Sequence, residues 1–284
     1  MRIAVVAVSI PVLLYVGLCL LLYVRQRALI YYPTPASPAR EGELIRLESA
    51  GETLNIRHAN PGNPHAVLYF GGNGEDVAQA VAVSAQLLPG HTLYFVHYRG
   101  YGGSTGSPSE KGLFQDAVNV YDHVQANHRV ISAVGRSLGS GVAIHLASRR
   151  NLDKLVLVTP YDSIEALAGR AMPWLPVSLL LKDKYRSIDL APGIETPTLV
   201  LIAGRDEVIP RENSDRLVAA FDPERIVAHT LGGATHNTIG GDPEYLARLQ
   251  AFLADASSAT GDPHRGAGHR RVHPVRPVAP IAAP

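Results

Sequence analysis

The chain has 284 residues, a formal net charge of +1 and a single cysteine, Cys19. That length suits one large α/β domain with extra segments at its ends. The near-neutral balance leaves no electrostatic footprint for nucleic acid, and one cysteine permits neither an intrachain disulfide nor a cysteine-based zinc site.

The first element is "IAVVAVSIPVLLYVGLCLLLYV", Ile3 to Val24, which holds no charge. As a helix it spans roughly 33 Å, enough to cross a bilayer. Pro11 is tolerated there, and Tyr23, Tyr31 and Tyr32 suit the interfacial zone. No small-x-small cleavage site follows, since "VRQRALIYYP" comes next. Leu18, before Cys19, is bulky where lipoprotein processing needs a small residue. The expectation is a retained single-pass anchor over residues 1–27, with the lipid bilayer as partner. Arg25 and Arg27, set against Arg2 and the amino terminus, point the following domain to the cytoplasm by a narrow margin.

Next, "ELIRLES" and "TLNIRHAN" alternate apolar and polar residues around "AGE", the pattern of a β-hairpin. Then come near-continuous apolar runs: residues 65–71, 91–97, 129–135, 154–160 and 196–204. Such runs suit strands buried on both faces of a parallel sheet. Helical patterns over 75–88, 110–127, 138–150 and 212–221 separate them. A last strand over 224–231 and a closing helix from Asp242 complete the order. Alternation of this kind predicts an α/β fold with a mostly parallel, doubly wound sheet over residues 28–255. One insertion, about 160–195, carries four prolines and the apolar stretch "MPWLPVSLLL". It is expected to sit above the strand ends as a small cap. From Ala256 the sequence is rich in Pro, Gly, Ala, Arg and His without apolar periodicity, which predicts a disordered tail over 256–284.

Gly135-Arg136-Ser137-Leu138-Gly139 fits G-x-S-x-G, and a buried strand runs into it while a helix runs out. That is the strand–turn–helix on which a nucleophilic serine is presented. The flanking glycines give strand and helix room to approach, and the helix N-terminus offers free N–H groups to a developing oxyanion. A serine hydroxyl needs a base, and the base needs an acid to fix its tautomer. In this architecture the order is Ser, acid, His. Asp206 follows the 196–204 strand and His236 follows the last strand in a Gly-rich loop. Glu207 and Asp162 are the competing acids. His229 lies in a strand pattern and His145 in a helix, which makes them packing or surface residues. "YFGGNGED" supplies a second oxyanion donor, the backbone N–H of Asn73, opposite that of Leu138. No Lys-Ser/Thr follows this loop, which argues against a phosphate loop.

"YFGGNGED", "YRGYGGSTGSPSEKGL", "GRSLGSGVA", "LPVSLLLKDKY", "GRDEVIP" and "THN", in this order behind an apolar span, resemble the α/β-hydrolase superfamily. The resemblance is to its membrane-anchored serine hydrolases with a serine-aminopeptidase-like domain, a branch that includes bud-emergence suppressor-type hydrolases and, more distantly, protein depalmitoylases. It implies Ser137, Asp206 and His236 as triad, with the Asn73 and Leu138 amides as oxyanion hole. It further implies hydrolysis of an ester, thioester or amide of a small acyl or acylated substrate, without a cofactor or metal. Two positions depart from the family pattern. Gly71-Gly72 stands where His-Gly is common, and His97 stands where Asp is common. His97 is expected to fill the space left at Gly71. A serine aminopeptidase or an acyltransferase shares the same first chemical steps, and a non-catalytic anchored binding module is the reading from another class.

Overall fold

Valine- and leucine-rich runs with no polar alternation must bury both faces, and here they form the inner strands of one sheet. The computed structural model of the protein describes residues 2–36, 38 and 42–254, with side chains from residue 9 onward. The tail expected from Ala256 lies outside the described residues. After the N-terminal helix α1 (Arg2–Ile30) come the hairpin β1 (Glu43–Ser49) and β2 (Glu52–Ala59). The core then alternates: β3 (His65–Phe70), α2 (Val81–Leu87), β4 (Thr92–Val96), α3 (Glu110–Gln125), β5 (Val130–Arg136), α4 (Leu138–Ala147) and β6 (Leu155–Val158). The insertion carries α5 (Ile164–Ala171), α6 (Val177–Leu180) and α7 (Ser187–Leu190). The chain returns through β7 (Thr198–Arg205), α8 (Arg211–Ala220), β8 (Ile226–Thr235) and α9 (Pro243–Ala254).

The eight strands lie in the order β1-β2-β4-β3-β5-β6-β7-β8. β2 runs antiparallel to β1 and β4, and every pairing from β4 to β8 is parallel. One face of the sheet packs against α3 and α4 through Leu113, Val120, Val142 and Leu146. The other packs against α2 and α9 through Val81, Leu88, Tyr245 and Leu249. Each such fully buried apolar side chain contributes about 1.5–3 kcal/mol over its exposed state. The order β4-β3-β5 is a topological switch. After β3 the chain winds one way and after β5 the other, which opens a crevice between the carboxyl ends of β3 and β5.

Two elements differ from the sequence expectation. The helix expected over 75–88 starts as a 3-10 turn, Val77–Ala80, because Asp76 accepts the Ala78 N–H and caps that turn instead. The last strand runs to Thr235, past a register shift between Ala203 and Arg205, and so delivers His236 at its end. Of the N-terminal region, Ser9–Ile30 is long and apolar enough to cross a membrane by length and composition, a test that a signal sequence also passes.

Candidate active site

The turn between β5 and α4 is held by sterics that only glycine satisfies. A Cβ on Gly139 would overlap the carbonyls of Phe70 and Gly71, and one on Gly135 would fall 2.7 Å from the Ala143 Cβ. Ser137 between them sits at φ 49°, ψ −116°, a left-handed conformation that costs a non-glycine residue of order 1–3 kcal/mol. The turn keeps that conformation because the Ser137 N–H donates to the Val158 carbonyl (2.9 Å) and the Ser137 carbonyl accepts from both N–H (2.9 Å) and Oγ (2.7 Å) of Ser140.

The structure brings Ser137, His236 and Asp206 together. The Ser137 Oγ lies 3.0 Å from His236 Nε2. His236 Nδ1 lies 3.0 and 2.9 Å from the two Asp206 carboxylate oxygens. Asp206 also accepts the N–H groups of Val208 (2.9 Å) and Ile209 (2.7 Å). Burial alone would raise its carboxyl, but the His236 bond and these two amides outweigh burial and hold it below the usual carboxylate range. His236 and Asp206 are nearly enclosed, with side chains 7% and 6% exposed.

The competing residues are engaged elsewhere. Glu207 accepts the backbone N–H of His236 (3.1 Å), so it holds the loop and not the ring. Asp162 is buried and accepts from Asn213 Nδ2, Arg216 Nε and its neighbour Ser163 N–H. His145 stacks on Phe114 at 4.0 Å between centroids, and His229 pairs with Arg248.

The loop after β3 carries Asn73. Among the described residues, the backbone amides of Asn73 and Leu138 donate to no protein acceptor. The Asn73 side chain is locked in place. It donates to the Ile30 carbonyl (2.6 Å) and accepts from the Tyr32 N–H (2.9 Å) and the Tyr101 hydroxyl (2.8 Å). The end of α1 therefore holds this loop.

The expected place of His97 is corrected. A Cβ on Gly71 would meet Val77 and the Glu75 carboxyl, while the His97 ring packs against Gly102. The space beside Gly71 is filled because Glu75 folds back to accept the Gly72 N–H (2.6 Å) and the Tyr69 hydroxyl (2.7 Å).

Sequence reasoning left Arg136 without a role. Its guanidinium donates to Glu75 (2.8 Å) and to the carbonyl of His236 (3.0 Å). Glu75 and Arg136 thus join the loop after β3, the serine turn and the histidine loop. The links of Arg136 to Glu75 and to His236 had no local signal, because the partners are 61 and 100 residues away.

A cavity of about 690 Å³ reaches Ser137, Leu138 and Asn73. Its walls are Leu22 and Ile30 of α1, Leu167 and Leu175 of the insertion, and Ile209. Among the described residues lining it there is no Asp or Glu.

A parallel sheet with a serine on the turn after β5, a histidine at the end of β8 and a carboxylate at the end of β7 defines an α/β-hydrolase-fold protein. No family model matches the chain. It is 34% identical over 260 residues to the uncharacterized protein Rv2307c of Mycobacterium tuberculosis, spanning 86% of this chain and 90% of that one. It is 31% identical over 208 residues to the alpha/beta hydrolase domain-containing protein aho-3 of Caenorhabditis elegans, spanning 69% of this chain and 60% of that one. Among solved structures, the Pyrococcus furiosus esterase Pf2001 superposes with a TM-score of 0.64 over 78% of this chain and 98% of that one, at 18% identity. The chain belongs to the α/β-hydrolase superfamily.

Proposed function

We propose that this protein is a membrane-anchored serine hydrolase that cleaves carboxylic esters or thioesters of apolar acyl groups. The observation that carries the reading is the continuous chain from Ser137 Oγ through the His236 ring to Asp206. Ser137 Oγ attacks the acyl carbonyl while His236 Nε2 takes its proton. Asp206 holds Nδ1–H and stabilises the imidazolium. Charge on the carbonyl oxygen is met by the Leu138 amide at the head of α4 and the Asn73 amide of the loop after β3. His236 returns its proton to the leaving alcohol or thiol as that bond breaks. It then takes a proton from water, whose oxygen attacks the acyl-enzyme, and the acid leaves with Ser137 regenerated.

The apolar cavity favours an ester over an aminopeptide substrate. A free α-ammonium needs a carboxylate partner, and none lines the cavity among the described residues. Turnover of butyryl and longer p-nitrophenyl esters should exceed that of aminoacyl anilides, and faster anilide cleavage would contradict the reading. α1 anchors the enzyme, and Arg25 and Arg27 keep the domain on the cytoplasmic side. Protease digestion of sealed inverted vesicles should then remove the domain, whereas full protection would place it on the other side.

A further inference from the structure

We propose that the insertion segment Met172–Leu181 is itself embedded in the bilayer beside α1, so that the cavity over Ser137 opens to lipid hydrocarbon and takes the acyl chain of a membrane-resident ester. This rests on the anchored-hydrolase reading above and adds where the substrate comes from.

The contacts between α1 and the insertion carry the argument. The Tyr15 hydroxyl donates to the Trp174 carbonyl (2.9 Å). Gln26 donates to the Leu180 carbonyl (3.0 Å) and accepts the Lys182 N–H (2.6 Å). Arg27 pairs with Asp183 (2.8 Å). The insertion therefore runs along α1 from Arg27 back to Tyr15, about 18 Å of helix. The apolar run N-terminal to that contact, Ile3–Leu14, is also only about 18 Å long, against roughly 30 Å of hydrocarbon. If lipid stopped where the insertion begins, α1 would be too short to cross. A spanning α1 requires lipid to cover the level of Trp174 as well.

The segment has the chemistry for that environment. Met172–Leu181 contains no charged residue. Trp174 is 55% and Leu179 81% exposed, and Leu14 and Val16 of α1 are exposed too, an unfavourable display in water. The Tyr15–Trp174 bond satisfies a hydroxyl and a carbonyl that hydrocarbon would otherwise leave unpaired. Charged groups stand only at the edges. Arg170 pairs with Glu212 on one side, and on the other Lys182 Nζ lies 4.0 Å from the Tyr23 ring centroid, one turn from Arg27. Leu22 and Leu29 of α1 line the same cavity as Leu175 and Leu180 of the insertion and Ser137, which gives an acyl chain an apolar wall beside the serine.

Trp174 is the only tryptophan in the chain, which makes the test direct. The full-length protein is reconstituted in phosphatidylcholine vesicles and floated on a density gradient. Its emission is compared in vesicles with unbrominated and with acyl-chain-dibrominated lipid, and with iodide in the water. The expected result is co-flotation, strong quenching by the brominated lipid and little by iodide. A floating protein whose Trp174 is quenched by iodide and not by bromine overturns this proposal alone. A protein that does not float overturns the anchor as well. A second arm uses Leu179→Glu, outside the cavity walls. Hydrolysis of a long-chain ester held in vesicles should fall about tenfold or more while turnover of a short soluble ester is unchanged. Equal vesicle turnover in wild type and variant contradicts lateral entry. Loss of both activities only on Ser137→Ala keeps the hydrolase reading separately testable.

Discussion

Glu75→Ala should damage this protein twice, in stability and in turnover. The carboxylate accepts the Gly72 N–H, the Tyr69 hydroxyl and the Arg136 guanidinium at 2.6, 2.7 and 2.8 Å. The Arg136 and Glu75 side chains are 18% and 16% exposed. Burial works against the charge on Arg136, but Glu75 outweighs it and keeps the guanidinium's pKa above its ordinary value. Breaking a fully buried pair costs about 3–5 kcal/mol, and the residual exposure brings the expectation to about 3 kcal/mol. For a domain of this size that lowers Tm by about 6–12 °C. Turnover should fall more steeply. Gly72 precedes the Asn73 amide, and Arg136 no longer reaches the His236 carbonyl in a fixed geometry. The expected loss in kcat is about 10–100-fold, short of deleting an oxyanion donor outright. Glu75→Gln separates charge from shape. Its amide oxygen can accept from Gly72 and Arg136 while its NH₂ faces the Tyr69 hydroxyl, so only about 1 kcal/mol should be lost. The assays are thermal melting followed by circular dichroism and steady-state hydrolysis of p-nitrophenyl butyrate. If Glu75→Ala melts and turns over as wild type does, the three loops are not tied through this carboxylate.

Two further expectations concern the scaffold. Gly139→Ala places a methyl group on the carbonyl of Phe70, the last residue of the central strand β3, and on that of Gly71 just past it. The variant should lose about 3 kcal/mol or more, and an unchanged melting temperature would show that the turn has slack. His145 is held neutral, its pKa lowered to about 4 by burial and secondarily by Arg149. The unfolded chain therefore takes up a proton near the ordinary value of 6.5 that the folded chain refuses until about 4. Stability falls as pH drops through that window. His145→Phe should keep the stack on Phe114 and lose less melting temperature than wild type between pH 7.5 and pH 5. Parallel losses in the two proteins would remove His145 from the pH response.

The strands were legible because a doubly buried strand must be apolar at every position, a local property that needs no partner to recognise. Ser137 was legible for a related reason, since Gly135 and Gly139 mark in sequence the two places where backbone meets backbone. Asp206 and His236 followed from strand ends and chain order. The supporting polar groups were not legible. Glu75 and Arg136 look like ordinary surface charges until the fold sets them 2.8 Å apart. The clamp of Asn73 by Ile30, Tyr32 and Tyr101 depends on where α1 ends relative to the sheet, which no periodicity encodes. The misplaced His97 has the same origin. Glu75 and Val77 return over Gly71 at the start of the 3-10 turn Val77–Ala80, a contact that no local pattern in the sequence marks.

The reading of this protein as a serine hydrolase stands most directly on Ser137. Wild type should react with a fluorophosphonate probe and yield one labelled peptide, with the phosphonyl group on Ser137. Labelling should collapse in Ser137→Ala, and in His236→Ala it should slow by several orders of magnitude, because the hydroxyl then has no base 3.0 Å away. Equal labelling of wild type and Ser137→Ala, or a label found on another residue, would contradict the assignment.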